Sequence, residues 1–372
     1  MTALLLLIAF VLIVAGALLF TNAVEWIGAR MNLGQSSVGS LLAAVGTALP
    51  ESLIPVVALI AGTPGSTEVA IGAIIGAPFL LGTLAMIIIG ASALAFRNRR
   101  KAGRSISAEP RGMQRDLTFF LIFCTVGVVL GIGVSTPFRI AAAIGLVLAY
   151  IGYAIRTVKK GGESEGEELQ ALIFHRSAGQ EPALWRIIVQ LVVGLGAIVG
   201  GAELFVEEVV AVAESLGVGT LVLSLVLAPL ATELPEKANS ILWVRDDKDS
   251  LAVGNVTGAM AFQASVPIAF GLAFTEWQLE PAALVAGAVG ILGGAVALVA
   301  LRRQSFGIPA ILAWAALFSA YLAFVSFGPS SEPAAPPPPG PPAPGAPLAP
   351  GAPPPPGGGP APPVAPGPAP PP

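Results

Sequence analysis

The chain is 372 residues long, 55% hydrophobic and only 11% charged, with a mean hydropathy of +0.82. That balance excludes a soluble globular domain and indicates a polytopic membrane protein. The formal net charge of -3 selects no partner, nothing points to nucleic acid, and the single cysteine, Cys124, excludes a disulfide framework.

Apolar stretches of roughly 17 to 30 residues, the length a bilayer requires, predict about ten spans. They lie near 3–20, 33–61, 66–96, 117–134, 138–157, 184–213, 216–244, 249–274, 280–301 and 306–327. The first begins directly after Met-Thr, has neither a basic n-region nor a small-residue cleavage site, and reads as a retained span. Between spans five and six, residues 158–183 carry Gly161, Gly162, Glu163, Glu165, Glu167, Glu168 and the only histidine, His175. They predict a polar cytoplasmic linker, read as a solvated acidic loop. From Gly328 the chain is almost wholly Pro, Gly and Ala, which predicts a disordered, partly polyproline tail over 328–372.

Lys and Arg are confined to alternate connections. Arg30 is followed by Arg97, Arg99, Arg100, Lys101, Arg104, Arg111 and Arg115. Then come Arg156, Lys159, Lys160, Arg176 and Arg186, then Arg245 and Lys248, then Arg302 and Arg303. The positive-inside rule makes those connections cytoplasmic and puts both termini outside, in what is read as the plasma (inner) membrane. Two residues break the pattern. Arg139 stands at a span end from which it can snorkel, whereas Lys237 adjoins an acidic motif and needs its own account.

Five spans per half make the two halves enter the membrane from opposite sides, an inverted-topology repeat of the kind secondary transporters use. The expected architecture is an all-α integral membrane protein of about ten transmembrane helices, arranged as two inverted five-helix repeats over 1–157 and 184–327. One short motif occurs once per half: Gly46-Thr47-Ala48-Leu49-Pro50-Glu51 and Ala231-Thr232-Glu233-Leu234-Pro235-Glu236. At the same offset Gly34 pairs with Gly219 and Ala43 with Ala228. After a three-residue loop difference, Gly72-Ala73-Ile74-Ile75-Gly76-Ala77 matches Gly254-Asn255-Val256-Thr257-Gly258-Ala259.

A carboxylate at bilayer depth costs several kcal/mol unless it pairs, binds an ion or faces water, so Glu51 and Glu236 are site candidates. Proline cannot donate to the carbonyl four residues earlier; Pro50 and Pro235 therefore free the carbonyls of Gly46 and Ala231, which must find a donor or a cation. With the hydroxyls of Thr47 and Thr232 these groups form a hard oxygen set suited to Na⁺ or Ca²⁺, and no His or Cys lies near for zinc or copper. Gly72/Gly76 and Gly254/Gly258 are GxxxG patterns, expected to bring the third span of each half against its broken second span.

These residues resemble the alpha-repeats of the sodium/calcium exchanger family, within the calcium/cation antiporter superfamily. That family's pattern is Gly-Thr-Ser-Leu-Pro-Glu followed by Gly-Asn-x-x-Gly-Ser-Asn. The resemblance implies ten helices, a central cation site on the second, third, seventh and eighth, and alternating access by sliding of the first and sixth. The implied function is secondary antiport of Ca²⁺ or a related cation against Na⁺ or H⁺. The ions are cargo, no cofactor is expected, and the partners are inorganic cations and the bilayer. The ligand candidates are Glu51, Glu236, Thr47, Thr232, Gly46, Ala231, Glu233, Asn255 and Gln263.

The pattern also departs from the family. Ala77-Pro78 and Ala259-Met260 replace the polar pair, and the later Asn corresponds to Leu81 and Gln263. Side-chain ligands are thus expected mainly in the second half. Lys237 has two readings: a built-in cation beside Glu233 and Glu236, or a snorkelling side chain. Snorkelling is preferred, because adjacent residues on a helix do not share a face. Glu203 and Glu207 are expected to line an ion vestibule, while Asn22, Glu25 and Glu208 lie near span ends. Two other classes remain open. A transport-dead scaffold or sensor would fit Pro78, Met260 and Lys237, whereas an intramembrane enzyme lacks a nucleophile-plus-base pair.

Overall fold

The computed structural model describes residues 2–30, 51–106, 110–160, 170–175, 181–303 and 306–327, and every regular element in them is a helix. We number them α1 (Thr2–Arg30), α2 (described over Glu51–Ala61), α3 (Ser66–Ala95), α4 (Pro110–Leu130), α5 (Thr136–Lys160), α6 (Leu184–Leu216), α7 (Thr220–Arg245), α8 (Asp249–Gln263 and Val266–Phe274), α9 (Pro281–Arg302) and α10 (Ile308–Phe327). All but α2 and α7 are long and apolar enough to cross a membrane; those two contain shorter apolar helices, Glu51–Ala61 and Thr220–Leu234. The predicted tail and residues 161–169 and 176–180 of the linker lie outside the described residues.

Two boundaries differ from expectation. α1 runs to Arg30 and not to residue 20, because Asn22, Ala23 and Gly28 are buried along its last turns. α4 starts at 110, where Met113, Asp116 and Leu117 are already buried. In both cases packing extends the helix past the apolar run. α6 ends in a Schellman motif, with the Val218 N–H bonded to the Ala213 carbonyl at 3.0 Å and Gly217 in the left-handed region at φ 65°, where glycine carries no Cβ penalty.

Burial repeats between the halves. The apolar windows of α3 and α8 are 78% and 67% buried, those of α5 and α10 11% each, so equivalent helices hold equivalent positions relative to the core. The packing follows the same rule. α1 packs on α6 and α4 on α9; the contact of α3 with α9 is mirrored by that of α8 with α4, and α3 with α10 by α8 with α5. This is the contact pattern of an inverted repeat. α1 and α6 approach closely because Gly16 and Gly194 face each other: a Cβ on Gly16 would lie 2.9 Å from the Gly194 carbonyl.

Both core helices are interrupted at the same point of the repeat. α3 widens into a π-turn over Leu81–Ala85 just after Pro78, and α8 breaks at Ala264 and Ser265. Such interruptions concentrate at functional sites, and in a membrane they are tolerated only inside protein. Beyond the spans, Arg100 anchors the turn after α3 to the start of α8 through both oxygens of Asp249, at 2.6 and 2.5 Å. Both side chains are buried.

The expected solvated linker is not what residues 170–175 form. Leu172 is buried, the Trp26 indole donates to the Gln170 carbonyl at 3.0 Å, and the N–H groups of Ile173 and Phe174 donate to Asn22 Oδ1 and Gln190 Oε1 at 3.1 and 2.9 Å. This segment clasps α1 and α6. Arg139 does not simply snorkel either: it donates to the Thr275 carbonyl at 2.5 Å, tying the start of α5 to the end of α8.

Candidate cation site

α7 carries two prolines, Pro229 and Pro235, and each leaves the carbonyl four residues back without its helical donor. The Leu225 carbonyl freed by Pro229 faces Gly76 of α3, where a Cβ would collide with it and with the Pro229 ring; a Cβ on Gly72 would collide with Ser224. The two glycines of this GxxxG pattern are what admit α3 against α7. The expected partner was the broken span of the same half, so the pairing is corrected: it crosses between halves. Among the described residues only Met113 comes within 4 Å of a Cβ on Gly254, and none of one on Gly258.

One turn beyond Pro229 the charged part of the motif begins. Ala231, Thr232 and Glu233 are all buried, Glu233 to 1% exposure. Thr232 spends its proton inside the helix, on the carbonyls of Ala228 and Pro229 at 3.4 and 3.3 Å, which leaves its oxygen lone pairs free to accept a cation. Lys237 is 4% exposed and donates to Glu233 Oε2 from one turn away. It does not snorkel. The adjacency argument failed because the relevant partner is four residues back, on the same face.

Glu233 Oε1 and Glu236 Oε2 are buried without a hydrogen-bond partner. Glu51, at the described start of α2, is buried as well and accepts a hydrogen bond from the Gln263 side-chain amide at the α8 break. The structure thus pairs Glu51 with Gln263 across the halves and Glu233 with Lys237 within α7, with Glu236, Thr232 and Ala231 on the same helix, whose Ala228 and Ala231 share a buried cluster with Ile54, Val57 and Ala58 of α2. Asn255 is half-buried eight residues before Gln263, about 12 Å along the helix. Gly46, Thr47 and Pro50 lie outside the described residues.

Among the described residues no three His, Cys, Asp or Glu side chains converge closely enough to hold a metal ion by themselves. A cation bound here has to draw on neutral oxygens, such as the Thr232 hydroxyl and the Ala231 carbonyl, beside the carboxylates. Glu203 and Glu207 are exposed on α6 with respect to the described residues and join no buried path there. Asn22, by contrast, is buried and accepts from Gln190 at 2.9 Å.

Sequence reasoning missed a second buried polar group. Asp116 of α4 accepts from Tyr153 of α5 at 2.6 Å and from Thr257 of α8 at 3.2 Å, so three helices meet on one carboxylate. The signal was present in the sequence as an aspartate heading an apolar run.

The sodium/calcium exchanger protein profile matches residues 1–159 and 186–327. CaxA of Alkalimonas amylolytica, assigned as an antiporter, is 23% identical over 86% of this chain and 98% of its own length. The H⁺/Ca²⁺ exchanger CAX superposes with a TM-score of 0.70 at 19% identity, over 89% of this chain and 83% of that one. The sodium-calcium exchanger NCX_Mj superposes with a TM-score of 0.55 at 24% identity, over 87% and 99%. The solved structures show the fold of a multi-pass membrane protein, and the profile is that of a family that exchanges inorganic cations. Because the profile takes in both halves of the repeat, and with them both copies of the Leu-Pro-Glu motif, the chain belongs to the sodium/calcium exchanger family.

Proposed function

We propose that this cation antiporter moves Ca²⁺ or a related divalent cation against H⁺ or Na⁺, by alternating access at the cluster between α2, α7 and α8. The observation that carries the reading is the pair of partnerless oxygens, Glu233 Oε1 and Glu236 Oε2. A buried carboxylate oxygen without a donor is costly, and a bound cation removes that cost. Glu51, from the other half of the repeat, adds further negative charge without closing a cage of three carboxylates. Divalent cargo matches this excess of negative charge over the one ammonium of Lys237.

Among counter-ions we favour H⁺. Lys237 already seats a monovalent positive charge on Glu233, which takes the place that an exchanging Na⁺ would need, whereas carboxylates can still load and release protons. The larger TM-score to an H⁺/Ca²⁺ exchanger than to a sodium-calcium exchanger agrees with this preference in fold alone. The close glycine contact of α1 with α6 provides the sliding pair, and the clasp at 170–175 holds one end of it.

The test is isotope uptake into proteoliposomes under imposed H⁺, Na⁺ and K⁺ gradients. ⁴⁵Ca²⁺ uptake driven by a pH gradient, abolished separately in Glu51→Gln and Glu236→Gln while both variants stay folded, is the expected result. Wild-type flux in either variant removes that residue from the site. No flux of any cation in the wild-type protein returns the chain to a scaffold or sensor role.

A further inference from the structure

We infer that the groove between the start of α4 and the end of α9 binds an anionic phospholipid by its phosphate. The groove is an open-sided cavity of about 460 Å³ lined by Arg111, Arg115 and Arg302 at one end and by Phe119, Ile122 and Phe123 further along α4. Its polar end thus carries three guanidinium groups, the geometry that accepts phosphate oxygens in pairs. Its apolar end continues along a membrane-spanning helix, with Ile122 55% exposed, which is where an acyl chain would lie.

The charges there are only partly satisfied within the protein. Arg115 leans 5.5 Å above the Tyr153 ring and stands 3.6 Å from Asp116, but Asp116 is already shared with Tyr153 and Thr257. Arg115 Nε is buried and has no hydrogen-bond partner. Arg111 and Arg302 are exposed, and among the described residues no carboxylate lines the groove. The arginine-rich connections face the cytoplasm by the positive-inside rule, and the cytoplasmic leaflet is the one that concentrates anionic lipid; basic pockets between spans on that side are suited to such headgroups. A soluble phosphate would use the guanidinium groups but not the apolar wall, so the amphipathic lining selects the lipid.

The experiment is native mass spectrometry of the full-length protein in detergent, titrated with dioleoyl phosphatidylglycerol and, separately, with dioleoyl phosphatidylcholine. Phosphatidylglycerol should bind in preference. Arg111→Gln with Arg302→Gln should weaken it about 25-fold, near fivefold for each arginine; Arg303→Gln, exposed beside the groove but not lining it, should leave it unchanged. Arg302→Gln alone, at an exposed helix end, serves if the double variant does not fold, with an expected loss of about fivefold. Equal binding of the two lipids, or unchanged phosphatidylglycerol binding in the Arg302→Gln protein, overturns the proposal. Displacement of the lipid by millimolar glycerol phosphate overturns it too, by showing that the site takes a free anion.

Discussion

Lys237 and Glu233 face each other across one turn of α7 as a buried ion pair, four residues apart and nearly inaccessible to solvent. The ammonium neutralises one oxygen and leaves the other for a ligand. Removing one partner of such a pair costs more than the pair is worth, because the remaining charge is stranded. Lys237→Ala is therefore expected to destabilise the protein by about 3–5 kcal/mol, and the double variant Lys237→Ala with Glu233→Gln by less than the sum of the singles. Thermal unfolding in detergent measures the cycle. In flux assays Lys237→Ala should also change the Na⁺ or pH dependence of exchange, since a further ion or proton has to balance Glu233. Additive stabilities and an unaltered ion dependence would return Lys237 to a peripheral role.

Gln263 links the halves at the candidate site, donating to Glu51 from the α8 break. Leu81 holds the corresponding place in the first repeat and offers no donor. Gln263→Leu is expected to strip a charge-assisted hydrogen bond worth about 1.5–3 kcal/mol and to raise the KM for the transported cation. Ala73→Ser, at the counterpart of Asn255, adds only a small hydroxyl and should leave it unchanged. Concentration-dependent uptake by the two variants decides the point; a shift in Ala73→Ser of the same size would show the site to be symmetric.

The α3–α7 contact rests on the absence of side chains at Gly72 and Gly76. Gly76→Val drives a branched side chain into the Leu225 carbonyl and the Pro229 ring, and overpacking of this kind costs about 1–3 kcal/mol or more. Gly258→Ala, with no described atom within 4 Å of the new Cβ, should be far milder. Unfolding midpoints of the two proteins provide the comparison, and equal midpoints would contradict the packing described for α3.

Asp247, in the turn between α7 and α8, accepts from the Lys101 and Ala102 N–H groups at 3.0 and 3.4 Å. The Lys101 N–H, chief among these neighbours, holds its carboxyl below the usual carboxylate range. A group with a depressed pKa stabilises the fold above its unfolded pKa and loses that contribution as pH falls through the folded one. Acid unfolding of the wild-type protein should therefore retain an Asp247 component below about pH 4. Asp247→Asn should lack it and be less stable at neutral pH, as melting curves across pH 3–7 would reveal.

Orientation is tested by cysteine labelling in a Cys124→Ser background, Cys124 being fully buried. Cysteines at Ser105 and Ser164 should react from the cytoplasmic side, and those at Gly65, Gln278 and the Pro-rich tail from the outside. A tail on the same side as Ser105, from which seven spans separate it, would be incompatible with five spans per half.

The class of the protein, its all-helical membrane architecture and its repeat were legible in the sequence, because hydropathy, the placement of Arg and Lys, and a duplicated Leu-Pro-Glu motif are local properties that survive reading in one dimension. Glu51, Glu233, Glu236 and Gln263 stood out there as candidates, since a charged or amide group in an apolar helix is conspicuous wherever it points. What those groups meet was not legible. Lys237 turns inward because the neighbouring helices bury its face of α7; the GxxxG of α3 meets the other half's helix because inverted halves interleave; and residues 170–175 clasp α1 and α6 although composition makes the linker look solvated. Each of these depends on which surfaces come together across more than a hundred residues of chain, and only the tertiary packing decides that.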